Sequence, residues 1–398
     1  MRSNAEIRWV PVRELGDVRM GKQLSPASQE SVRQYPYLRV ANVLRGRIDY
    51  SDVKTMGFSR GEREVYGLKP GDILLNEGQS LDLVGRSAIY DGNKGEYCFQ
   101  NTLVRFRPNS QVLPEYAQVV FERWLDTGVF AAIAKQTTSI AHLGSERFAA
   151  LKFPLLPLAE QRYIREVVGV VSSQEQTIAA SVAKLSAVRT GVTDDLLRDM
   201  AWDCVLSEVA DGPIRNGYSP VESEAWTGLQ MLGLGCLTPA GFNPAQLKNA
   251  PASITASHAA ILRDGDLLMS RANTRELVGL AGVYRDVGTP CIYPDLMMRI
   301  RPSNRCSAEF LAAVLMSTRV RRHVRALAQG TSESMVKISA ATVREIPVPL
   351  PAPEEQDRLL GVLNSFSAQI RDKKVELAKL GKLKQGIVDD LLSGRSGV

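Results

Sequence analysis

The chain has 398 residues, 44% of them hydrophobic and 23% charged, with a formal net charge of +6. That length exceeds one ordinary core and suits two domains of roughly 150 residues with connectors, and the composition excludes a disordered or fibrous chain. No apolar run approaches the roughly 18 residues that a membrane span requires, and Met1 to Trp9 carry charge where a signal peptide would be apolar; a cytoplasmic protein is expected. The cysteines at 98, 204, 236, 291 and 306 form no Cys-x-x-Cys pair, and His142, His258 and His323 lack ligand spacing. Neither a disulfide framework nor a metal site is therefore expected. The basic excess suits an anionic partner, because cationic side chains release counterions when they neutralise phosphates.

In chain order, the sequence opens at Trp9 into a region of short apolar runs at 72–75, 87–90 and 102–106. They sit between Gly, Asn and Asp clusters, the pattern of strands joined by turns. A helical stretch follows at 115–127, and a proline-rich strand from Pro154 leads into a helix start at Glu160 and Gln161. Beyond Pro157, apolar residues recur at Ile164, Val168, Val171, Ile178, Val182, Leu185, Val192 and Leu196. This three-then-four spacing is a heptad seam, interrupted by Glu175 and Arg189. From Trp202 the succession begins again, with a helical stretch near 309–326 and a proline-rich strand at 347–356. A second seam runs through Leu359, Leu363, Phe366, Ile370, Leu377, Leu380, Ile387 and Leu391, interrupted by Lys373 and Lys384. Pro353 suits an early helix position, Glu354 and Glu355 the positive helix end, and Gly394 a C-cap. Each helix, at about 40 residues, spans on the order of 60 Å, which is the length of a spacer.

The two halves are one unit written twice, offset by about 195 residues. The run ending at Gln161, Pro-Leu-Leu-Pro-Leu-Ala-Glu-Gln, falls on Pro-Leu-Pro-Ala-Pro-Glu-Glu-Gln ending at Gln356. Without a gap, Gly191-Val-Thr-Asp-Asp-Leu-Leu197 then meets Gly386-Ile-Val-Asp-Asp-Leu-Leu392. Upstream, Gly71-Asp72-Ile73-Leu74-Leu75 meets Gly265-Asp266-Leu267-Leu268-Met269, Val84-Gly85 meets Val278-Gly279, and Arg105-Phe106-Arg107-Pro108 meets Arg299-Ile300-Arg301-Pro302. The expected fold is α/β: two similar mixed domains separated by two long helices packed as an antiparallel coiled coil, with an internal pseudo-two-fold. Expected boundaries are 1–157 and 201–352 for the domains, 158–200 and 353–398 for the helices. Gly191 and Gly386 mark either a close backbone crossing, a docking spot or a tolerated helix end, and Glu175 is expected near Lys373 across the helix pair.

The duplicated proline-rich strands, Glu-Gln helix starts, helix ends, Trp9 and Trp202 openings and Gly-Asp strands resemble the specificity subunit of type I restriction-modification systems over essentially the whole chain. The resemblance implies that each recognition domain reads one half of a bipartite, asymmetric double-stranded DNA target while the helices fix the spacing. It implies two modification (methyltransferase) subunits docked on the helical regions, here at Glu160, Gln161, Gly191, Glu355, Gln356 and Gly386, and two restriction (translocase/nuclease) subunits. S-adenosylmethionine, ATP and Mg2+ would belong to those partners, leaving this chain without cofactor, metal or catalytic residues.

Base readers need side chains that reach base edges, whereas phosphate contacts only position. Candidates in the first domain are Arg39, Asn42, Arg45, Arg47, Asn76, Gln79, Ser80, Arg86, Gln100 and Asn101. In the second they are Ser270, Arg271, Asn273, Thr274 and Arg275. Thr137, Thr138 and Ser139, with Thr331, Ser332 and Ser334, are candidate phosphate contacts. The domains differ most where Asn76-Glu77-Gly78-Gln79 faces Ser270-Arg271-Ala272-Asn273, which predicts unlike half-sites. Enzyme readings fare worse: Asn243-Pro-Ala-Gln is not a target-base motif, Gly233-Leu-Gly235 lacks the third glycine of a dinucleotide loop, and no P-loop occurs. Asp72 with Glu77 lacks the lysine of a nuclease site. The alternative is an adaptor whose coiled coil joins other proteins without DNA specificity.

Overall fold

A computed structural model describes residues 7–136, 140–330 and 335–393. The chain divides into two compact units, one of Met1–Ile178 with Glu376–Val398 and the other Ala179–Val375. Each unit therefore takes its domain from one repeat and helical segments from both. Among the described residues no helix is long and apolar enough to cross a membrane.

In the first unit an antiparallel sheet places Leu103–Pro108 between Gly16–Met20 and Ile73–Asn76, with Ser87–Ile89 outermost. A second sheet joins Gln34–Leu38 antiparallel to Lys54–Gly57 and parallel to Cys98–Phe99. The helix Pro114–Asp126 covers the first sheet through Tyr116, Val120 and Phe121, which share a core with Phe106, Phe148 and Phe153. Tyr116 keeps its hydroxyl satisfied there by donating to the Pro154 carbonyl at 2.6 Å. The second unit repeats the plan: Met297–Ile300 lies between Arg215–Asn216 and Leu267–Ser270, with Ala281–Val283 outermost. Its counterpart of the helical stretch is two helices, Ala308–Met316 and Thr318–Leu327. The expected single helix breaks at buried Ser317, whose hydroxyl accepts from Val320 N and so starts the second one.

The repeated motifs are explained by packing. Arg107 grips buried Asp72 with two bonds, Nε to Oδ1 at 2.6 Å and Nη2 to Oδ2 at 2.7 Å, and Arg301 reaches Asp266 at 3.2 Å. Asp72 is thus an internal brace behind the turn that Gly71 makes at φ +90°. At Gly85 and Gly279 the backbone has φ of +82° and +76°, and a Cβ would stand 2.3 Å from Phe130 and 2.4 Å from Val324. Only glycine meets both demands.

The long helices are Leu158–Leu196 and Pro353–Ser393. In the first unit Ile164 and Val168 share the core with Val388 and Leu391, and Lys384 donates to Glu175 at 3.1 Å. In the second, Leu359 and Leu363 share the core with Val192 and Leu196, and Arg189 Nε donates to Ser367 at 3.1 Å. Positions rise along one helix as they fall along the other, so the segments run antiparallel within each unit. Within the first unit Glu175 meets Lys384, with Gly381 beside it, where the sequence suggests Lys373. A Cβ at Gly191 or Gly386 would meet nothing within 4 Å, so neither glycine marks a close backbone crossing.

Candidate nucleic-acid interface

Two equivalent edges emerge, one per unit. In the first, Gly78–Gln79 pairs with Ala141–His142, which pairs in turn with Lys135–Gln136. This ribbon brings Gln79 beside the strand ends that flank 137–139. In the second, Ala272–Asn273 pairs with Val336–Lys337, whose strand follows 331–334. The expected phosphate contacts Thr137, Thr138, Ser139, Thr331, Ser332 and Ser334 lie outside the described residues.

The chemistry of the two edges is opposite. Glu77, buried, accepts at Oε2 from His142 Nδ1 at 2.9 Å. At the matching positions stand Arg271 and Lys337. Among the described residues Arg271 is held by a 3.4 Å bond from Nη1 to the Asp295 carbonyl alone, and its buried Nε has no partner there. A guanidinium left this under-satisfied is available to a ligand with two acceptors on one edge. Neither His142 nor Lys337 was legible as a site residue, because each reaches the edge by pairing with a strand more than sixty residues away.

The other candidates divide by what their polar atoms already do. Thr102 ties several together: its hydroxyl accepts from Val40 N at 3.1 Å and donates to Gln100 at 3.4 Å, while its carbonyl accepts from Glu77 N at 2.9 Å. Gln79, Ser80, Gln100, Asn101, Asn273 and Thr274 are partly exposed around the edges, and Arg47 is exposed. Arg86 is half-buried beside Arg45, and burial lowers its pKa. Arg39 is held by Asp52 at 2.5 Å. Arg45 pairs with Asp126 at 2.5 Å, and that bond raises its pKa. Arg275 caps the helix Thr318–Leu327 by donating to the Arg325 and Ala328 carbonyls at 3.0 and 3.4 Å.

Three readers expected from sequence are corrected by burial. Asn42 is buried and donates to the Asp49 and Asp52 carbonyls at 2.9 and 3.1 Å while accepting from Arg39 N. Asn76 is fully buried, with its amide oxygen oriented to accept from Arg86 Nε and Nη2 at 3.2 and 3.3 Å. Ser270 is fully buried and donates to the Ala272 carbonyl. Buried polar groups need partners, and these have found theirs inside the protein.

Two expected partner contacts are corrected likewise. Gln161 is fully buried; its Oε1 accepts from Leu113 N and its Nε2 donates to the Gln111 and Leu156 carbonyls, all at 2.8 Å. Gln356 repeats the clamp with Ser307 N, the Arg305 carbonyl and the Pro351 carbonyl at 2.9 to 3.1 Å. The Glu-Gln signature therefore fastens each long helix to its domain. Glu160 and Glu355 are half-buried on the first helical turns, Glu355 facing Arg358 at 3.4 Å. Gly191 and Gly386 are exposed.

Comparison with known proteins accords with a duplicated DNA-specificity scaffold. Residues 6–181 match the family described as type I restriction modification DNA specificity domain. The chain is 24% identical over 361 residues to the type I restriction enzyme MjaVIII specificity subunit of Methanocaldococcus jannaschii, covering 81% of this chain and 80% of the relative. A second protein of that archaeon, provisionally named the MjaX specificity subunit, is 23% identical and covers 96% of this chain and 93% of its own. A chain solved in work on assembly and conformational transition of the type I R-M system shares the fold, with a TM-score of 0.51, 17% identity and 97% of each chain covered. The matched domain is the first copy of the repeat, and over most of its length the chain is similar to type I specificity subunits.

Proposed function

We propose that this chain is the non-catalytic, DNA-reading subunit of a cytoplasmic type I restriction-modification complex, and that its two domains read unlike halves of one split target. The observation that carries this is the pair of matching edges with opposite chemistry, Glu77 and His142 in one unit, Arg271 and Lys337 in the other. Carboxylates accept from the cytosine amino group, and arginine bonds guanine O6 and N7 in pairs. Recognition domains span 1–157 and 201–352 and the spacer helices 158–200 and 353–398. Arg47, Gln79, Ser80, Arg86, Gln100 and Asn101 serve the first half-site, and Arg271, Asn273 and Thr274 the second. Thr137, Thr138, Ser139, Thr331, Ser332 and Ser334 hold phosphates. Two methyltransferase subunits dock on the helices around Glu160, Glu355, Gly191 and Gly386, and two restriction subunits complete the assembly. S-adenosylmethionine, ATP and Mg2+ act in those partners.

The test is co-expression with the modification and restriction subunits encoded beside it, followed by mapping of methylated adenines in host DNA. Methylation at one split, asymmetric motif that depends on this chain is expected. A palindromic motif, or methylation unchanged by its removal, would overturn the reading in favour of an adaptor that joins other proteins.

A further inference from the structure

The duplication supplies an internal control for a cationic cleft in the second unit. Where the end of the first long helix meets the helix Thr318–Leu327, a cleft of about 560 Å³ is lined by Arg189, Arg321, Arg322, Arg325 and Glu276. Arg321, Arg322 and Arg325 share one face of the short helix, as the spacing of three and four dictates. Among the described residues no carboxylate lies within ion-pair distance of any of these four arginines. Arg321 is buried and satisfied by the Val278 and Glu276 carbonyls. Arg189 is half-buried and donates to the Ser367 hydroxyl at 3.1 Å, and Arg322 is exposed. Burial pulls Arg189 below its ordinary value, and burial with neighbouring Arg325 brings Arg321 down to about 10.

The matching junction of the first unit is neutralised by the chain itself. There Lys384, the counterpart of Arg189, contacts Glu175 at 3.1 Å and Glu122 at 3.8 Å. Arg123 pairs with Asp389, and Arg45 with Asp126. One scaffold thus carries a balanced junction in one copy and concentrated, unpaired positive charge in the other. A cleft that gathers four arginines around one carboxylate, Glu276, with no ion pair to it among the described residues, is the environment that an oxyanion with several acceptors fills.

The cleft also adjoins the reading edge. Glu276 directly follows the segment 270–275, and Arg275 caps the short helix at Arg325 and Ala328. We propose that Arg189, Arg322 and Arg325 clamp a backbone phosphate of the duplex whose bases lie at the Arg271 edge, an inference that rests on the DNA-reading function above. Such a contact adds affinity without sequence information.

The experiment uses the complex of the full chain with its methyltransferase, and two duplexes, one bearing the methylated motif and one with that motif scrambled. Arg322→Gln, at an exposed site, and Arg189→Gln are each expected to weaken both duplexes by several-fold alike. Each should lower the slope of log affinity against log salt by about 1 and leave the methylated motif unchanged. Unaltered affinity and slope in both variants would overturn the clamp. So would loss of the methyltransferase with an unaltered slope, which assigns the cleft to a protein contact. A wild-type complex with no motif preference refutes the specificity reading instead, and the slope then decides the clamp alone.

Discussion

Arg271 and Gln161 illustrate how one polar side chain is left for a ligand and another is consumed by the fold. Among the described residues Arg271 has one long bond and a buried, unpartnered Nε, so Arg271→Gln is expected to change or relax one position of one half of the methylated motif. The cost is about 1–3 kcal/mol of discrimination, with the other half unchanged in a methylome map. Retention of the parental motif would remove Arg271 from the readers. Gln161 makes three bonds in a fully buried site. Gln161→Ala leaves Leu113 N and two carbonyls unpaired, and should cost about 3 kcal/mol in urea unfolding, a loss no partner contact would explain. The sequence marked Gln161 and Gln356 as special through the repeat, but not why. A repeat reports that a residue is needed, while burial decides whether the need is internal. Asn42, Asn76 and Ser270 misled for the same reason, since a polar residue at a strand end serves a ligand or a neighbouring carbonyl equally well.

Among the elements, the long helices were the most legible. Their seams continue for ten positions each, and matching copies constrain one another. The register was harder to read, because any heptad offset satisfies an apolar seam. Glu175 settled it by meeting Lys384, with Glu122 also near. A double-mutant cycle of Glu175→Ala and Lys384→Ala is expected to show coupling of about 1 kcal/mol for this half-buried pair, whereas Glu175 with Lys373 should show none. Additive effects in the first cycle would reject the register. The interruption at Ser317 escaped an apolar pattern that runs unbroken through it, because the break comes from a hydroxyl that caps a new helix. The reading edges escaped for a topological reason. His142 and Lys337 become site residues only when two-residue strands pair with segments far away in sequence.

At the scale of the molecule, duplication kept the scaffold and changed its charge. Asp72 with Arg107 and Asp266 with Arg301 persist as internal braces, and so do the two glutamine clamps. The edges and the helix junctions have both diverged toward positive charge in the second copy, from Glu77 to Arg271 and from a neutralised Lys384 to Arg189, which has no ion pair among the described residues. Changes at ligand-facing positions leave the shared core intact, so one architecture can carry two specificities. The interleaved make-up of the units has a temporal consequence. Ile164 and Val168 are translated long before Val388 and Leu391, with which they share a core. On the ribosome the first recognition domain therefore waits, its helix face bare, through synthesis of almost the entire second repeat. A nascent chain in that interval offers chaperones and proteases an apolar stripe that the finished protein conceals.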